Sequence, residues 1–296
     1  AVYGNIAEHS SGLYTDSSAT FFFCHFQSND GTFEPIFLDS QSSTTFQSCE
    51  FNLLVFNEFI CNRMSTVEFV ECLFAGAPVV CEDCTHYISR SVFRSNSRCP
   101  LLTLDRSNGY VVNSEISYSQ NYWPQNGTGV EIRDVDQSID FSNCVIKENE
   151  GGGLKVIDSQ LSIKNCEFFN NSGFGGIKVS GDSNVTISNC LIRDSEDGGG
   201  VSVYGGGTAS ISSSTIVNNE PGGCKVDFGQ MDIANSIIWN NDQYEISGAV
   251  DATYCNVQGG YPGTGNIDAD PLFVTGPWGD YYLSSTATGH SVDSPC

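Results

Sequence analysis

Apolar and polar residues alternate along the second half of this chain in short bursts that recur at a near-constant interval. Six bursts share one pattern: Asp140–Ile146, Ser162–Phe168, Thr186–Ile192, Ser210–Ile216, Asp232–Ile238 and Asp251–Val257. Each carries Cys or Ser as its fifth residue, at 144, 166, 190, 214, 236 and 255, in steps of 22, 24, 24, 22 and 19 residues. A period of two marks strands with one face in a core. A strand-rich repeat of this length with no helical period predicts the stacked coils of a solenoid. A second strand recurs in each repeat, as Gly152–Val156, Gly175–Val179, Gly199–Val203 and Gly222–Val226, with Gly129–Ile132 in the same slot. Its paired glycines predict a tight bend between sheets, where a side chain would obstruct the turn.

Weaker copies of the burst extend the marker column upstream to Cys24, Cys49, Cys72, Ser91 and Ser114. The expected fold is therefore all-β, a single-domain parallel solenoid of about eleven coils. The one long step, 114 to 144, places an insertion at 118–129, with Trp123-Pro124 bulging from a turn. Residues 1–18 are read as an N-terminal cap or first coil, 19–255 as coils and 256–296 as a C-terminal cap. A cap of different composition is what the unpaired edge of a solenoid end requires.

The marker cysteines interchange with Ser, which describes a small inward position rather than a disulfide framework, because parallel stacking aligns their Cβ vectors. Cys81, Cys84 and Cys99 lie near turns, and a Cys84–Cys99 bridge across one coil is compatible with their spacing. Asn143, Asn165, Asn189 and Asn235 precede markers, and Asn149, Asn170, Asn171, Asn218, Asn219, Asn240 and Asn241 follow the strands. Stacked amides of this kind hydrogen-bond along the rod.

Charge narrows the function. Thirty-five acids against twelve bases give a formal net charge of −23, which excludes a general nucleic-acid binder. No run of 18 apolar residues is present, so no membrane span is expected. Ala1-Val-Tyr-Gly4 is compatible with a terminus left by signal cleavage. Asn126, Asn170 and Asn184 head sequons for N-glycosylation.

Repeats of the form Ile-Ser-Asn-Cys-x-Ile-x-x-Asn-x-x-Gly-Gly-Gly-Ile-x-Val resemble the right-handed parallel β-helix family, the fold of pectate-lyase-like proteins. The tail Cys255-Asn-Val-Gln-Gly-Gly-Tyr-Pro-Gly-Thr-Gly-Asn-Ile-Asp-Ala-Asp-Pro-Leu-Phe-Val274, followed by Gly279-Asp-Tyr-Tyr-Leu283 and Ser294-Pro-Cys296, is similar to the terminating segment of secreted bacterial members. The resemblance is clear from about residue 130 onward. It implies a right-handed β-helix and an extracellular or cell-surface location, and no particular reaction.

Candidate chemistry is sparse. In the second strand, the outward position is read as Glu131, Lys155, Lys178, Ser202, Lys225 and Glu245, which places three of only five lysines in one column. Lys155, Lys178 and Lys225 are the expected ligand-binding residues, a cationic rail for an acidic polysaccharide. Arg90, Arg94, Asp105 and His86 are the catalytic candidates, because arginines crowd two coils there. No cofactor is expected. Calcium is the metal that suits the oxygen-rich turns, with Asp134, Asp136, Asp268 and Asp270 as candidate ligands. The resulting expectation is a non-catalytic exported surface or matrix protein acting in adhesion, glycan contact or self-association. The alternative is a carbohydrate-active enzyme, a polysaccharide lyase or epimerase.

Overall fold

The computed structural model describes residues 14–15, 18–27, 37–38, 42–52, 59–62, 64–94, 100–120, 127–137, 139–277 and 279–296. The chain is a right-handed β-helix, and its described residues form three parallel sheets with eleven strands each. Sheet A runs from Tyr14–Thr15 to Tyr244–Ser247, sheet B from Ala19–Phe22 to Val250–Thr253, and sheet C from His25–Gln27 to Asn256–Val257. Successive strands enter sheets A, B and C in turn, and each pairs with the strand one coil later. Tyr118, Ser119 and Gln120 are described within the expected insertion, whereas Trp123-Pro124, residues 1–13, Asn126 and Cys99 lie outside the described residues.

Each repeated burst is two strands, not one. Asp140–Ile146 splits into Ile139–Ser142 of sheet B and Val145–Lys147 of sheet C. The break falls on the residue before the marker, which adopts left-handed backbone: φ is 54° at Asn143, 54° at Asn165, 53° at Asn189 and 50° at Asn235. Left-handed backbone costs an ordinary L-residue roughly 1–2 kcal/mol, and Asn tolerates it best. The Asn column is thus the device that turns the chain from sheet B into sheet C. Its amides also pair, Asn165 Nδ2 donating to Asn143 Oδ1 at 3.2 Å and Asn189 Nδ2 to Asn165 Oδ1 at 2.7 Å.

The marker itself is buried in every coil. The Cys190 amide donates to Ser214 Oγ at 3.2 Å, the Ser214 amide to Ser236 Oγ at 3.1 Å, and the Cys144 amide to Cys166 Sγ at 3.4 Å. The Cys166 thiol in turn donates to the Lys164 carbonyl at 3.2 Å. Cys and Ser interchange because each supplies one donor and one acceptor in a small volume. Cys49, Cys72, Cys144, Cys166, Cys190 and Cys255 are unbridged thiols. The Cys166 thiol is pushed up to about 12, first by its hydrogen bond with Cys144, and so stays protonated.

A second amide ladder is internal. Asn149, Asn171, Asn219 and Asn241 are buried where the chain leaves sheet C. Asn171 Oδ1 accepts from the Asn149 amide (3.2 Å) and Asn149 Nδ2 (3.0 Å), while Asn171 Nδ2 donates to the Ile146 carbonyl (2.9 Å). The core is aromatic at one end and aliphatic at the other. Phe26, Phe51, Phe74 and Phe93 stack with centroids 4.7, 4.7 and 4.6 Å apart, and Ile163, Ile187, Ile211 and Ile233 continue the core of sheet B.

Beyond Val257 the chain covers the open end, with backbone bonds from Tyr254 to Thr264 and from Val257 to Ile267. It then forms an antiparallel hairpin, Phe273–Gly276 with Gly279–Leu283. Asn218, two coils before the last, donates to the Tyr281 hydroxyl. The hairpin therefore returns along the flank of the rod instead of stopping at its end.

Candidate functional site

The outward column of sheet A holds the sharpest cluster of chemistry. Register places Thr103, Glu131, Lys155, Lys178, Ser202, Lys225 and Ser247 in line. Glu245 does not close the column as the sequence suggested. Tyr244 pairs with Gly222 and Ile246 with Cys224, so Ser247 stands opposite Lys225. Glu245 sits two residues earlier on the strand, where it accepts from the Asn241 amide at 3.0 Å and from the Asn241 side chain at 2.5 Å. Burial raises its proton affinity.

The backbone explains why lysines can occupy this face. At the start of the sheet A strands from Gly152–Ile157 to Gly222–Asp227 lies a glycine whose Cβ would collide with the next coil. A methyl at Gly153 would be 2.5 Å from the Gly176 carbonyl oxygen, and one at Gly176 2.7 Å from that of Gly200. Only glycine permits the coil to close there, and the pleat that follows fixes which residues face out.

The three lysines are electrostatically distinct. Lys155 pairs at 3.3 Å with Glu131, which is itself only 4% exposed and also held by Arg133. Lys225 pairs at 2.8 Å with Asp227, whose hydrogen bond raises the lysine's proton affinity. Among the described residues Lys178 has no carboxylate within ion-pair range. Burial, and then like charge on Lys155, lower its proton affinity. Its ammonium lies 5.0 Å from the centre of the Tyr204 ring, and Lys225 approaches the same ring at 5.7 Å. Four cations, Arg133, Lys155, Lys178 and Lys225, thus meet three carboxylates, Glu131, Asp227 and the Asp105 in register opposite Arg133, on one face of a molecule whose formal net charge is −23. Such a face offers charge-assisted donors to an anion and an aromatic plane beside them.

The catalytic candidates do not converge. His86 points into the core beneath sheet B, is fully buried, and has no partner on either ring nitrogen among the described residues. Arg90 sits on the left-handed turn from sheet B to sheet C, its Nε 3.0 Å from Glu71. Arg94 ends a strand of sheet C, exposed. Asp105 ends a strand of sheet A and is 2.8 Å from Arg106, which also binds Asp83 at 2.9 Å. Three different sheets hold these groups, so they form no common site.

Asp134 and Asp136 do share a cavity of about 740 Å³ with Asp158 and Asp182. Among the described residues no three His, Cys, Asp or Glu side chains are placed to hold one metal ion. In the C-terminal segment, Asp268 accepts from the Gly259 amide at 3.1 Å and Asp270 from that of Leu272 at 2.9 Å, so both shape turns. Asn170 and Asn184 are exposed. Sequence reasoning missed Tyr204, which lies two positions after Ser202 on the same strand. The same alternation that identified the lysines would have placed it on their face.

A family model described as the right handed beta helix region matches residues 77–242, more than half of the chain. No curated protein matches the chain in sequence. Among solved structures, the crystal structure of pectate lyase Pel9A is 16% identical with a TM-score of 0.46, covering 88% of this chain and 73% of that one. QnrB1, a plasmid-mediated fluoroquinolone resistance protein, is 14% identical with a TM-score of 0.22, covering 77% and 91%.

Proposed function

The chain belongs to the right-handed β-helix family, and on that premise we propose that it is an exported, surface or matrix protein that grips an acidic polysaccharide along sheet A without turning it over. The observation carrying this reading is the in-register trio of Lys155, Lys178 and Lys225 with Tyr204 between the last two. Uronate carboxylates would pair with the ammonium groups, and a sugar ring would pack on the exposed edge of the tyrosine. Lys178 contributes most, because it has no carboxylate of its own to release. Strands spaced ~4.8 Å apart place Lys178 one coil from Lys155 and two coils from Lys225, so the donors form a line along the rod that a charged polymer can follow.

A second reading rests on Lys178 alone. A lysine with lowered proton affinity can take the proton adjacent to a uronate carboxylate, while Lys155 and Lys225 neutralise that carboxylate; the freed electron pair forms a carbon–carbon double bond as the glycosidic C–O bond on the next carbon breaks, and the departing sugar oxygen takes a proton from water. That would make the same face a lyase site. Polygalacturonate separates the two. The binding reading expects saturable, salt-sensitive binding that weakens about tenfold in Lys178→Ala, with no ultraviolet absorbance from unsaturated ends. Absorbance that grows with time and vanishes in Lys178→Ala establishes the second reading. Absence of binding, in the presence or absence of calcium, removes both.

A further inference from the structure

A groove lies on a different face of the rod from the lysines, between sheet C and the returning hairpin. Its volume is about 1360 Å³. One wall is the exposed amide ladder of Asn143, Asn165 and Asn189, and the other is the second hairpin strand with Tyr281 and Tyr282. We propose that this groove binds an uncharged oligosaccharide lying along the rod.

Three observations carry the proposal. First, the wall is built rather than incidental. Tyr281 accepts a hydrogen bond from Asn218 and meets Phe273 edge-on at 5.3 Å, and the Ser294 hydroxyl ties the following segment to the Pro271 carbonyl at 2.7 Å. Second, the ladder has hydrogen-bonding capacity to spare. Each carboxamide carries two N–H donors and two acceptor lone pairs, and the ladder uses one of each at Asn165, an acceptor at Asn143 and a donor at Asn189. Exposed amides with this spare capacity line the groove once per coil, about every 4.8 Å, which suits hydroxyls that both give and take. Third, the charges forbid an anion. Arg193 is occupied by Glu167 at 2.9 Å and Asp194 at 2.6 Å, leaving Asp280 as the uncompensated group on the lining. Tyr282, 38% exposed, adds an aromatic surface for a sugar face.

The groove is independent of sheet A, so the two sites are separable by mutation. Titration calorimetry with cellohexaose, xylohexaose, mannohexaose and maltohexaose is the test. At least one is expected to bind, with affinity reduced about tenfold in Tyr282→Ala and in Asn165→Gly, and unchanged in Lys178→Ala. Glycine at 165 keeps the left-handed backbone, so the loss reports the amide and not the fold. Failure of all four sugars to bind overturns the proposal. So does binding that survives both variants, or a preference for hexagalacturonate that is lost with Asn165→Gly.

Discussion

Replacing His86 by Leu should change how stability responds to acid. His86 is fully buried beneath sheet B, between register neighbours Val67 and Gly109, neither of which carries charge. Burial lowers its pKa from 6.5 to about 3, so the folded chain holds the ring neutral. The unfolded chain takes up a proton near its ordinary 6.5, and the folded one does not until about 3. Stability from this residue is complete above the unfolded value and is lost as pH falls through the window between the two. Each unit below 6.5 costs about 1.4 kcal/mol, so the loss between about pH 7 and about pH 4.5 is about 3 kcal/mol. Carboxylates titrate in both proteins, and the difference between wild type and His86→Leu isolates the histidine. Leucine also removes two ring nitrogens that find no partner among the described residues, so the variant should be no less stable at neutral pH. Urea melts across that pH range measure it. A gap between the two proteins that does not widen with acid would refute the buried, neutral assignment.

A buried amide of the internal ladder should be more sensitive than the exposed amide beside it. Asn171→Ala strips partners from three buried groups at about 1–3 kcal/mol each, whereas Asn170→Gly at the exposed left-handed position next to it should fall within about 0.5 kcal/mol of wild type by urea melts. Cys166→Ser should be tolerated to within about 1 kcal/mol, because Ser fills the same column in other coils, while Cys166→Leu should cost about 1–3 kcal/mol by overpacking. Gly200→Ala places a methyl 2.7 Å from the Gly223 carbonyl oxygen and 2.8 Å from Ile216 Cγ2, and thermal melts should show a similar loss.

Much of this architecture is legible in the sequence because a solenoid writes one local solution many times. The marker column is position for position the residue immediately before each strand of sheet C. The lysine column follows from alternation and a shared glycine. What was hidden has specific causes. Residues 140–146 read as one strand because alternation runs on across the bend, and only the backbone tolerance of Asn143 reveals the turn. Glu245 was misplaced by two residues because Tyr244-Glu-Ile-Ser247 lacks the glycine pair that anchors the earlier copies. The hairpin at 273–283 has no repeat to follow, so its path back along sheet C had no signature. Arg90, Arg94, Asp105 and His86 are close in sequence, but one coil spreads its residues over three faces.

Lysine acetylation footprinting tests the central claim most directly, because the five lysines supply their own controls. Mass spectrometry with and without polygalacturonate would compare Lys155, Lys178 and Lys225 on sheet A with Lys147 and Lys164 elsewhere on the rod. The account predicts protection of the three sheet A lysines, strongest at Lys178, and unchanged labelling of Lys147 and Lys164. Protection confined to Lys147 and Lys164, or no protection of Lys178, would contradict it.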